Sequence, residues 1–82
     1  MKIFYDRKVD ALYIKRFATT ILESEEISPG VIFDYDKDDN IVGVEVCPLR
    51  SRSYESASVI KLPFTEDEKA LIKKFCDRIP NY

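Results

Sequence analysis

Three aspartates at alternate positions, Asp34, Asp36 and Asp38, with Glu45 eleven residues after the first, are the part of this 82-residue sequence that comes closest to a chemistry. A calcium loop of the EF-hand type places oxygen ligands at its first, third and fifth positions, an aliphatic residue at its eighth and a bidentate glutamate at its twelfth. Asp34, Asp36, Asp38, Ile41 and Glu45 fit that spacing. The sixth position, which needs glycine for a sharp turn, is Asp39. Val31 to Tyr35 and Val42 to Val46 also alternate as β-strands where the loop requires helices. The segment therefore reads as a hairpin closed by a solvated acidic turn. Asp34 and Asp36 share one strand face, the arrangement of a carboxylate pair for acid and base work. On an antiparallel sheet, alternating aspartates more simply mark the face turned to water.

Other catalytic classes find less support. Histidine is absent, so Ser51, Ser53, Ser56 and Ser58 have no partner for the usual nucleophilic triad. There is no glycine-rich phosphate loop and no paired-cysteine metal motif, and the expectation is a protein that is not an enzyme and carries no cofactor or metal. Cys47 and Cys76 lie far apart within apolar patterns and read as buried, reduced thiols. Tyr5, Tyr13 and Tyr35 sit at strand positions, packing with their hydroxyls near the surface; an aromatic binding platform is the alternative for these rings.

A net charge of −2 conceals a strong local bias. From Glu23 to Glu45 eight acids (Glu23, Glu25, Glu26, Asp34, Asp36, Asp38, Asp39 and Glu45) stand against one base, Lys37. Phosphate binders carry basic stripes, so this segment disfavours direct contact with nucleic acid and favours a basic protein partner. Glu23, Glu25, Glu26, Asp38 and Asp39 are the candidate partner-binding residues. No apolar run approaches the roughly 20 residues of a membrane span, and the amino-terminal residues lack a signal-peptide core, which points to the cytoplasm.

The elements that must position these residues follow from periodicity. Lys2 to Asp6 and Ala11 to Phe17 alternate around a short polar link, as a hairpin does. Ile21 to Ser28 alternates less cleanly and reads as an irregular edge strand, where clustered carboxylates discourage unwanted strand addition. Pro29-Gly30 bends the chain into Val31 to Tyr35; Lys37 to Asn40 turns it again, and Val42, Val44 and Val46 form a regular β-branched stripe. Residues 50–64 form a serine-rich connector with a candidate short strand over Ala57 to Leu62. A helix is predicted over 65–79, with Thr65 and Glu68 as a capping box and Leu71, Ile72, Phe75, Cys76 and Ile79 on one apolar face. Its burying Leu71, Ile72, Phe75 and Ile79 against the sheet is the expected outcome.

Three ordered motifs carry a resemblance: Tyr5-Asp6 with Asp10-Ala11-Leu12-Tyr13-Ile14, then Glu26-Ile27-Ser28-Pro29-Gly30-Val31, then Asp34-Tyr35-Asp36 with Ile41-Val42-Gly43-Val44-Glu45-Val46. In these the chain resembles domain-of-unknown-function family 2283, small prokaryotic proteins without an assigned activity. The likeness covers roughly residues 1–49; a glycine frequent in the family's hairpin turn is replaced within Asp38-Asp39-Asn40, and the tail from Arg50 differs from the usual short ending. Some members are encoded beside a small toxin-like ribonuclease, which implies an antitoxin role for those members.

The fold class expected is α+β in a single domain over 1–82: an antiparallel meander of four or five strands with one C-terminal helix packed on a sheet face. The function expected is a non-enzymatic interaction module, with an antitoxin-like partner of a small basic toxin as its specific form. A self-associating homo-oligomer is the alternative, and a small-ligand or metal-binding protein the third.

Overall fold

The computed structural model describes residues 1–49 and 64–79. Two compact units divide the chain at Leu49 and Arg50, where the regular β-pattern of the sequence gives way to the serine-rich connector. The connector and the candidate strand over Ala57 to Leu62 lie outside the described residues.

The first unit is a five-stranded antiparallel sheet made of β1 (Lys2–Asp6), β2 (Ala11–Lys15), β3 (Glu23–Ser28), β4 (Val31–Tyr35) and β5 (Ile41–Val46), in the order β1-β2-β5-β4-β3. β3, β4 and β5 run as a continuous meander, and the β1–β2 hairpin joins it through the β2–β5 ladder. β3 is an edge strand, as its poor alternation suggested, and its pairing with β4 slips between Glu26 and Ser28. The slip gives the strand an extra residue at Ile27 and bends the edge.

Each turn has a residue suited to it. Asp10, Gly30 and Asp39 take positive φ of 57°, 79° and 62°, a region that glycine enters freely and that aspartate tolerates better than most residues. Asp39 thus occupies the left-handed position that closes the β4–β5 hairpin without glycine.

One sheet face is the core of this unit: Leu12 and Ile14 from β2, Val31 and Phe33 from β4, and Val42, Val44 and Val46 from β5 are all buried. Phe33 meets Tyr35 edge to face, with ring centroids 6.5 Å apart. Because side chains alternate along a strand, Tyr13, Lys15, Gly43, Glu45, Ile32 and Asp34 fall on the other face.

In the second unit the helix α1 spans Glu66–Cys76. Its capping box is formed: the Glu68 N–H donates to Thr65 Oγ1 at 3.1 Å, and the Thr65 N–H donates to Glu68 Oε1 at 2.9 Å. Acids in the first turn and Lys73 and Lys74 in the last complement the dipole. Past the helix, the Arg78 and Ile79 N–H groups reach back three residues to Phe75 and Cys76, tightening the end of the chain turn. Ile72, Cys76 and Ile79 are buried and Phe75 is half-buried, whereas Leu71 is 55% exposed. The expectation for Leu71 is therefore corrected. Positions 72, 76 and 79 make a stripe at spacings of four and three; Leu71, one residue and about 100° before Ile72, stands at its margin. Both cysteines are reduced thiols; Cys76 is buried as expected, whereas Cys47 is only half-buried, which corrects the expectation for it.

Candidate functional site

The acidic motif divides into three environments. Asp34, in the β4–β5 ladder, is 3% exposed, and Asp36, at the start of the turn, is 7% exposed. Asp38 and Asp39 are exposed at the turn itself. The reading of Asp34 and Asp36 as a solvated pair is corrected: both carboxylates are withdrawn from water, and for different reasons.

Asp34 is held by side chains from two other strands. Tyr13 on β2 donates its hydroxyl to Asp34 Oδ2 at 3.1 Å, and Ser24 on β3 donates to Asp34 Oδ1 at 2.6 Å. Ser24 and Asp34 are direct cross-strand partners, but β2 and β4 are separated by β5. Tyr13 must therefore reach across two strand spacings, about 10 Å. It does so where β5 has no side chain: Gly43 pairs with Lys15 on one side and Asp34 on the other. A Cβ at position 43 would lie 2.8 Å from Asp34 Oδ2, so the glycine makes the slot the carboxylate occupies. The signal for this was an isolated glycine within a β-branched strand, a mark of close approach. The β-branched stripe of Val42, Val44 and Val46 indicates the strand, and the glycine between its members marks the close approach.

Burial raises the Tyr13 phenol above its ordinary pKa of 10.0, reinforced by the charge of Asp34, by the hydrogen bond to it and by the charge of Glu45. At neutral pH Tyr13 is accordingly a phenol, which donates to the carboxylate. The trio ties β2, β3 and β4 together through a charge-assisted network.

Asp36 instead serves its own turn. Its Oδ1 accepts from the backbone N–H groups of Asp38 at 2.8 Å and Asn40 at 3.0 Å, and its Oδ2 accepts from Asn40 Nδ2 at 3.2 Å. The Asn40 backbone bond most of all holds the Asp36 carboxyl below its ordinary value of 3.8; burial opposes this, while the Asp38 backbone bond, the Asn40 side-chain bond and the charge of Lys37 assist. This is an aspartate-centred turn of the kind that aspartate favours on local grounds. Among the described residues no group of three or more histidine, cysteine or acidic residues is placed to hold a metal ion.

Of the candidate partner-binding residues, Glu23, Glu25 and Glu26 are exposed along β3, and Asp38 and Asp39 are exposed in the adjoining β4–β5 turn. Glu23, Glu25 and Asp39 share a shallow depression with Ser24 and Tyr35. Alternation sends Glu26 to the opposite side of the strand. Tyr5 donates its hydroxyl to Asp10 and belongs to the first hairpin. Phe4, paired across the ladder with Tyr13, is 66% exposed. Among the described residues no helix is long and apolar enough to cross a membrane.

Comparison with protein families matches residues 2–47 to the family described as "Protein of unknown function (DUF2283)". Neither the curated proteins nor the solved structures contain a match.

Proposed function

This chain belongs to the DUF2283 family of proteins of unknown function, and from that premise we propose that it is a non-enzymatic interaction module whose acidic β3 edge receives a basic protein. One observation carries the reading: Glu23, Glu25, Glu26, Asp38 and Asp39, distant in sequence from one another by up to sixteen positions, lie exposed on one edge strand and the turn beside it. Burial of Asp34 and Asp36 removes two of the eight acids of the segment from this surface, yet β3 presents three glutamates and no base, and Lys37 is the one base in the turn beside it. Such a surface raises the local concentration of a cationic partner and steers its approach. An antitoxin-like role toward a small basic toxin is the specific form of this function.

The test is capture of a partner from native cells by the full chain, followed by association kinetics with that purified partner. The wild-type rate should fall steeply with added salt. Glu23→Lys with Glu25→Lys should slow capture strongly, Asp38→Lys less, and the melting midpoint should change little. A captured partner that associates with the double variant at the wild-type rate in low salt refutes the acidic edge as its contact surface.

A further inference from the structure

The opposite edge of the sheet has a different character. Among the described residues β1 is the other outer strand, and its ladder with β2 is regular over all five residues. Its sequence, Lys2-Ile3-Phe4-Tyr5-Asp6, is complementary to itself when read antiparallel. Centred on Phe4, such a pairing sets Lys2 against Asp6 of a second copy, Ile3 against Tyr5, and Phe4 against Phe4. The faces agree as well: Lys2, Phe4 and Asp6 share one side of the sheet and Ile3 and Tyr5 the other. Both charges then meet opposites and the three hydrophobic positions, Ile3, Phe4 and Tyr5, meet hydrophobic partners, the conditions under which cross-strand pairs stabilise.

We propose that β1 pairs with β1 of a second copy about a two-fold axis through Phe4, joining two five-stranded sheets into one of ten. Two further observations favour this occupant. Lys2 and Lys15 stand directly opposite each other in the β1–β2 ladder, an unfavourable like-charge pair, and neither has an acidic ion-pair partner among the described residues. Asp6 of the second copy would lie directly beside Lys2, on the side away from Lys15. Phe4, at the centre of the strand, is 66% exposed, and the two-fold axis covers it with its own counterpart. The β3 edge is unsuited to the same use. Three of its six residues are glutamates and its register is broken between Glu26 and Ser28, both of which oppose strand addition. The dimer leaves the two acidic edges at the far ends of the joined sheet, so it is compatible with a basic partner there and does not depend on one.

Sedimentation velocity on the purified full chain tests the proposal. The wild type should run at twice the 9.6 kDa chain mass at concentrations of about 100 μM, where even a modest isologous contact is populated. Phe4→Arg places like charges on the axis and should give monomers. Lys2→Glu and Asp6→Lys each convert two symmetric attractions into repulsions and should weaken the dimer by about tenfold or more. Mixed together, these two single variants regain complementary charges, Glu against Lys and Asp against Lys, and should form a heterodimer. Asp6 also accepts the Lys8 N–H at 2.9 Å in the first turn, so circular dichroism accompanies each variant; recovery in the mixture separates lost pairing from lost folding. A wild type that stays monomeric at that concentration overturns the proposal. A dimer indifferent to Phe4→Arg, or single variants whose mixture does not associate, overturns it equally.

Discussion

Asp34 and Asp36 are two residues apart, both carboxylates are buried, and they are kept buried by opposite means. Asp34 depends on Tyr13 and Ser24, twenty-one and ten positions away in sequence; Asp36 depends on Asp38 and Asn40, two and four positions away. The first arrangement exists only when β2, β5, β4 and β3 are in register, whereas the second needs only a turn. A buried carboxylate is costly unless its hydrogen bonds are made, so Asp34 makes the register of the whole unit matter and Asp36 makes only its own loop matter. Neighbouring members of one motif thus report on tertiary and on local structure separately.

The sharpest way to break the first arrangement is to fill its slot. Gly43→Ala brings a methyl group to 2.8 Å from Asp34 Oδ2 and 3.4 Å from Asp34 Cβ. The carboxylate cannot swing aside freely, because leaving its place breaks both hydroxyl bonds. The substitution should destabilise the protein by about 1–3 kcal/mol, read as a lower midpoint in chemical denaturation. Asp34→Ala removes the obstruction together with the network, so the double variant should lose less than the sum of the two single losses. Additive losses would mean that Gly43 and Asp34 do not share the slot.

The same contrast separates what the sequence makes legible from what only the assembled sheet decides. The strands were legible because their alternation is local, and so were the capping box at Thr65 and the acidic edge, which follow from residue type and position alone. The turn was visible in outline, since Asp38, Asp39 and Asn40 tolerate left-handed backbone, though not the role of Asp36 in closing it. Asp34 was misread as wet: alternation placed it correctly on the face opposite Phe33, but not every position on that face is open to water. Its burial depends on strand order, which brings Tyr13 across β5, and strand order is not written in the periodicity of any one segment. Leu71 failed for a related reason. Five apolar residues define a broad helix face, and only the packed stripe through Ile72, Cys76 and Ile79 decides which margin stays exposed.

A smaller effect should separate Asp36 from Asp34 in acid. With its folded-state pKa below the ordinary 3.8, Asp36 contributes stability that is present above that ordinary value and is lost as the pH falls through the lower folded-state value. Asp36→Asn keeps an oxygen for the Asp38 and Asn40 N–H groups while removing the charge. The variant should show a shallower loss of stability in that acid range than the wild type, measured by denaturation at a series of pH values. An unchanged acid profile would remove the proposed charge-assisted bonding from the turn.

The smallest effect lies at the alkaline end and involves Asp34 but not Asp36. Tyr13 has a pKa raised above 10.0, first by burial and then by Asp34. A group raised in the folded state stabilises fully below its unfolded pKa, and that contribution is lost as the pH climbs from about 10 through the higher folded value. Tyr13 is 37% exposed, so solvent screens much of the interaction and the expected signature is a displaced titration more than a large change in stability. Spectroscopic titration of the phenols should contain a late-ionising component from Tyr13, and Tyr13→Phe should delete that component. Asp34→Asn should move it toward the ordinary value without restoring it fully, because burial remains. Asp36→Asn should leave it where it is. If Asp36→Asn shifts the late component as far as Asp34→Asn does, the two carboxylates are coupled and the division between a long-range and a local network fails.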